Sequence, residues 1–133
     1  MSTINVSNLN DGTTTVATTY ITNGSSKAWG SIDQDSTDHP TYDSFNVSST
    51  VDNAAGKTTI SFTTSMGNAD YAIAGVGQAD GESGGYFAVT GKSGAGSDTK
   101  MTASAFKTDN RIGTDGSNQD LSYMAFTIDG DLA

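Results

Sequence analysis

The sequence predicts an all-β fold: a small β-sandwich or barrel-like domain with an extended N-terminal β segment. Three observations predict it. Apolar and polar residues alternate with a period of two over several short stretches, as they do along half-buried strands. Clusters of Gly, Asn, Asp and Ser break these stretches at the spacing of about 8–12 residues typical of sandwiches and barrels. No run of ten residues carries apolar positions at the helical spacing i, i+3, i+4, i+7.

The clearest alternation lies in residues 43–66. Phe45, Val47, Ser49 and Val51 sit two apart, and the period returns at Ile60, Phe62, Thr64 and Met66 after Asp52-Asn53-Ala54-Ala55-Gly56. Two such runs around a short polar segment ending in Gly read as a β-hairpin. Gly56 suits a left-handed turn position, which a residue with no Cβ enters freely.

The remaining elements follow in order. Ile4, Val6 and Leu9 make a short strand, Asp11-Gly12 a turn, and residues 13–22, TTTVATTYIT, a second strand dominated by β-branched side chains. Residues 1–24 thus read as a separate N-terminal segment before a body at 25–133. Its apolar residues Ile4, Val6, Val16, Tyr20 and Ile21 suit docking, with a frayed terminus as the alternative. Residues 25–30, SSKAWG, carry the sole tryptophan, Trp29, fit for a core, an interface or a sugar-stacking platform. Residues 31–42 read as a polar loop. Asp33, Asp35, Asp38 and His39 invite a metal reading there, but the Gly and distal Glu of a calcium-binding EF-hand loop are missing, so a solvated loop is expected.

Residues 71–77 form a strand with Tyr71, Ile73 and Gly75 on one face and Ala72, Ala74 and Val76 on the other, expected to be covered on both sides. Residues 78–85 are a loop, 86–90 a strand and 91–97 a flexible connection. A strand at 98–107 sets Met101, Ala103 and Ala105 against Thr102, Ser104 and Phe106. After a loop at 110–120, with a tight turn at 114–117, the strand at 121–128 lines up Met124, Phe126 and Ile128.

Composition sharpens the picture. Leu, Ile, Val and Phe make up 21 of 133 residues, whereas Gly, Ser and Thr make up 53. Such a chain either stays partly disordered or completes a thin β-structure by association, and the regular alternation favours association. The net charge of −9 and the lack of a basic cluster argue against nucleic acid. With no cysteine, disulfides and thiolate metal sites are excluded. The opening MSTINVSNLN lacks the basic and apolar regions of a signal peptide, so synthesis in the cytoplasm without membrane insertion is expected. No cofactor or metal is expected, and no nucleophile system surrounds His39.

Lys27-Ala28-Trp29, then Asp43 to Ser49 with Asp52 and Asn53, then Phe62, Thr63 and Met66, then Ala69 to Tyr71, form an ordered pattern. It resembles a domain of virion fibre proteins of tailed bacteriophages, of the marine and cyanophage type. The opening Met1 to Val6 matches as well, so the resemblance covers about residues 1–77, with an insertion at 33–41. It implies a structural protein located in the virion and assembled as a homotrimer, with virion proteins of tail, baseplate or capsid as partners and no catalytic residues. Trp29, Phe45, Val47, Ile60, Phe62, Met66, Tyr71, Ile73 and Phe126 are the expected core or interface positions.

The leading expectation is a short trimeric fibre or knob, anchored by residues 1–24 and exposing its later loops to the host surface. A capsid decoration protein is the alternative. A glycan-binding module would use Trp29, Tyr42, Tyr86 or Phe87 for stacking. A glycosidase is the weakest reading, because Glu82 is the sole Glu and no Asp is singled out as its partner.

Overall fold

The computed structural model describes residues 5–79, 85–86, 100–112 and 117–133. Their elements are β1 (Asn8–Asn10), β2 (Thr15–Ala17), α1 (Thr18–Gly24), β3 (Ala28–Ile32), β4 (Thr41–Phe45), β5 (Val47–Ala54), β6 (Lys57–Phe62), β7 (Ala72–Gln78), β8 (Gly85–Tyr86), β9 (Ala105–Lys107), β10 (Arg111–Ile112) and β11 (Tyr123–Asp129). Among the described residues the fold is all-β apart from one short helix, and the antiparallel sheets do not close into a barrel.

A four-stranded sheet in the order β4-β3-β11-β7 packs against a three-stranded sheet in the order β5-β6-β9. Alternation decides which side chains enter the space between them. Ala28 and Ile32 come from β3, Met124, Phe126 and Ile128 from β11, Ile60 and Phe62 from β6, and Phe106 from β9. The Phe106 ring meets Phe126 of the opposite sheet edge-to-face, centroids 5.0 Å apart, and lies 6.0 Å from Phe62 in its own sheet. Met66, Tyr71, Ala79 and Leu121 complete the buried set, with Val47, Ile73 and Met101 packed against it.

The predicted hairpin is present as β5 and β6, and Gly56 at its turn has φ +70°. The alternation read through residues 45–51 does not survive. Asn46 adopts φ +57° and passes the chain from one sheet to the other, so Phe45 belongs to β4 and pairs with Trp29. The Asn46 amide latches this crossing: Nδ2 donates to the carbonyls of Lys27 and Thr64, both at 3.0 Å, and Oδ1 accepts from Thr64 N at 2.7 Å. A β-bulge between Val47 and Ser49 then shifts the parity. Val47 and Thr50 are partly buried, while Ser49 and Val51 are exposed.

Four other expectations change. Residues 18–24 are helical rather than the second half of a strand, because the chain turns back after β2 and Thr18 Oγ1 bonds the carbonyls of Val6 and Ser7. Residues 28–32 form a strand paired with both β4 and β11, which takes in the start of the loop expected at 31–42. Residues 102–105 are a tight turn, closed by Thr102 N donating to Ala105 O at 2.9 Å, so of the expected strand at 98–107 the described part, residues 100–107, holds only the short strand β9. Ala72, Ala74 and Val76 are exposed, so the described residues do not cover β7 on both sides. Residues 80–84, 91–97 and 113–116 of the expected loops, residues 87–90 and 98–99 of the expected strands, and Ile4, Glu82 and Phe87 lie outside the described residues.

Candidate interaction surfaces

Residues 5–24 fold into a small unit of their own. The β1–β2 hairpin turns at Asp11-Gly12, where Gly12 has φ +96° and Asp11 Oδ1 accepts from Thr13 N at 2.9 Å and Thr14 N at 2.7 Å. These amides, Thr14 first, hold the Asp11 carboxyl below its ordinary range. Helix α1 follows. Lys27 closes its C-terminal end, the buried ammonium donating to the carbonyls of Thr22 and Ser25, where a cation complements the helix dipole. Lys27 thereby ties the unit to β3, which it directly precedes, and its own N–H donates to Ile128 O of β11 at 2.8 Å.

The unit's apolar residues stay outside the core. Val6, Leu9, Val16, Tyr20 and Ile21 are all exposed, Tyr20 by 76%. Leu9, Val16 and Ile21 line a shallow groove of about 470 Å³ with the turn residues Asp11 and Thr14. Of the residues expected to dock, Val6, Val16, Tyr20 and Ile21 therefore all lie in one small unit.

The second surface is the outward face of the four-stranded sheet. Strand pairing sets Phe45, Trp29, Thr127 and Ala74 in one row and Asp43, Ser31, Ala125 and Val76 in the next. Exposures of 54% for Phe45, 41% for Trp29 and 63% for Val76 show that none of the described residues covers them. Trp29 and Phe45 are therefore not core residues. By contrast Ile60, Phe62, Met66, Tyr71 and Phe126 are buried, and Val47 and Ile73 pack against them. At one end Tyr42 stacks on Tyr123, centroids 6.4 Å apart, and its hydroxyl donates to Asp33 Oδ2 at 3.1 Å. Trp29 and Tyr42 thus share a face. The Tyr86 backbone pairs with Arg111 in a separate two-stranded sheet.

The Asp33–His39 region separates into two parts. Asp33 organises a turn: Oδ1 accepts from Asp35 N at 3.0 Å and Ser36 N at 3.2 Å, and Oδ2 from Ser36 Oγ at 2.7 Å. The Ser36 hydroxyl leads the interactions that hold the Asp33 carboxyl below its usual range. His39 turns inward instead, 2% exposed, with Nδ1 2.7 Å from Thr58 Oγ1 and Nε2 3.6 Å from Asp52 and 3.9 Å from Asp120. Thr58 Oγ1 also accepts from Gln34 Nε2 at 2.6 Å, so one hydroxyl links the ring to the Gln34 amide. Among the described residues no group of three or more His, Cys, Asp or Glu side chains is arranged to hold a metal ion.

His39 joins a buried polar cluster absent from the sequence reading. Gln34 Oε1 accepts from Asn110 Nδ2 at 2.6 Å and Leu121 N at 3.3 Å, while Thr108 Oγ1 accepts from Thr58 N at 2.9 Å. Each buried polar group there finds a partner, which is the condition for burying it at modest cost. The cluster joins β6 to the segments around residues 34, 108–110 and 121. No helix of the described residues is long and apolar enough to cross a membrane. No family model, curated protein or solved structure matches the chain.

Proposed function

We propose that this chain is a structural protein of a tailed-bacteriophage virion, a short trimeric fibre or knob anchored to the particle through residues 1–24. The observation that carries the reading is the N-terminal unit: its apolar side chains are exposed, and the body's core cluster uses none of them. Apolar surface held together on a small appendage is what a docking segment needs, and short strands can add backbone hydrogen bonds to a partner. The sequence resemblance supplies the phage context. The scarcity of large aliphatic residues and the uncovered sheet face support association of copies, since faces buried between chains relieve a thin core.

The test uses particles assembled with altered protein. Removing residues 1–24 leaves every core residue in place. The truncated body is therefore expected to keep its β circular dichroism and its oligomeric mass yet fail to join particles. Full-length protein carrying Val16→Asp and Ile21→Asp is expected to fail in the same way. Normal incorporation of both proteins would defeat the reading. Gold labelling of intact particles on the tail supports the fibre, and labelling on the head supports the decoration protein.

A further inference from the structure

We infer that the outward face of the four-stranded sheet is where copies of this chain meet, the aromatic half of one copy seating in the small-residue half of the next. The inference deepens the trimer reading above and rests on it for the number of copies. The face has two unlike halves. On β4 and β3, Phe45 and Trp29 stand side by side as a raised aromatic ridge. On β11 and β7, Ala125, Thr127, Ala74 and Val76 leave a shallow groove of about 340 Å³, floored by Gly75 and Phe126. A ridge and a groove on one face cannot satisfy each other within the chain, because they lie side by side and point the same way. Rotation of a second copy brings one over the other. A contact between unlike patches of the same surface is heterologous, and it closes into a ring when the rotation is a whole fraction of a turn.

Charge selects the same face. Copies carrying a net charge of −9 repel one another, so they meet at least cost where charge is lowest. The face carries no Lys or Arg, and its carboxylates Asp43 and Asp129 sit on the edge strand β4 and at the end of β11. The row Phe45, Trp29, Thr127, Ala74 is free of formal charge, and Ser31, Ala125 and Val76 extend that neutral area. A charge-depleted centre with aromatic anchors is the usual composition of a protein interface core.

Trp29, the sole tryptophan, reports on the contact directly. In sedimentation and fluorescence dilution series on the full chain, dissociation is expected to shift Trp29 emission to longer wavelength as the mass falls. Val76→Lys lowers the net negative charge, so general repulsion decreases, yet a charge then enters the groove. It is expected to weaken association by roughly tenfold or more. Phe45→Ser is expected to do the same from the ridge side. Both residues are exposed, so circular dichroism should be unchanged. Val51→Lys, on the exposed side of β5, should leave the mass unaltered. Mixing Val76→Lys with Phe45→Ser pairs the intact ridge of the first with the intact groove of the second, and one-to-one dimers are expected.

An oligomer that ignores both groove and ridge substitutions overturns the inference while leaving the trimer standing. A wild-type monomer overturns both, without touching the N-terminal docking test. A shift of Trp29 emission by soluble polysaccharide at constant mass would assign the face to glycan and overturn the inference as well.

Discussion

Gly56→Ala is the sharpest test of how the hairpin is held. At φ +70° an L-residue carries about 1–2 kcal/mol of backbone strain. Space adds to it. A Cβ built on Gly56 would lie 2.4 Å from Asn110 O, 2.9 Å from Gln119 N and 3.0 Å from Gln119 O. These are backbone atoms, so no side-chain rotation relieves the clash and the 110–119 segment must move. That movement strains two hydrogen bonds, Asn110 N to Gly56 O at 2.8 Å and Gln119 N to Asn110 O at 3.1 Å. At about 1 kcal/mol each, the total loss comes to about 3–4 kcal/mol, a large share of the 5–15 kcal/mol typical of a domain. Urea unfolding followed by far-ultraviolet circular dichroism should show the midpoint falling by roughly 2 M. Gly12→Ala separates the two causes: φ is +96° there, but nothing lies within 4 Å of the added Cβ. It should cost the backbone strain alone. If Gly56→Ala proved no more harmful than Gly12→Ala, the argument from close approach would be refuted.

Two further outcomes follow from the core. Phe106→Ala removes a fully buried ring between Phe62 and Phe126 and should cost about 3–5 kcal/mol in chemical denaturation; a loss below about 1 kcal/mol would mean the two sheets do not depend on this contact. Burial pushes the Tyr71 phenol up to about 12, so the folded chain keeps its proton after the unfolded chain has begun to lose it near pH 10. Stability from this group is therefore complete below about pH 10 and falls by up to about 2 kcal/mol as the pH rises to about 12. Denaturation midpoints across that window should fall less steeply for Tyr71→Phe, and identical slopes would contradict the assignment.

Much of the architecture was legible where local chemistry and tertiary context agree. The β class, the turn at Gly56 and the inward row Met124, Phe126 and Ile128 all follow from period-two alternation and one glycine. The errors fall where one residue resets the pattern. Asn46 ends one strand and starts another in a different sheet, and the bulge after Val47 flips the faces beyond it. The cue was Asn itself, which enters the left-handed region more readily than most residues, but an alternating run hid it. The Thr-rich segment 13–22 looked uniform, yet its second half turns into α1 because it folds back on residues 6–7. Of the candidate surfaces, exposure separated Trp29 and Phe45 from the true core, which no residue type reveals alone. The cluster of Gln34, Thr58, Thr108 and Asn110 was invisible for another reason: its partners are 24 to 76 residues apart in sequence.

The strand order β4-β3-β11-β7 also governs when this molecule can fold. β11 is a central strand, flanked by β3 from about a hundred residues earlier and by β7. While the chain emerges from a ribosome, the first sheet can hold no more than β3 against β4, with its middle missing. The hairpin β5–β6 can form early and locally, but Phe106 and Phe126 arrive late, and the two sheets have little to grip before then. Contacts this distant in sequence make for slow closure, in the range of milliseconds to seconds common to all-β domains. During that interval the edge of β3 that β11 will occupy is open to any neighbouring nascent chain. Synthesis on closely spaced ribosomes thus places a premium on the speed with which the last central strand finds its slot.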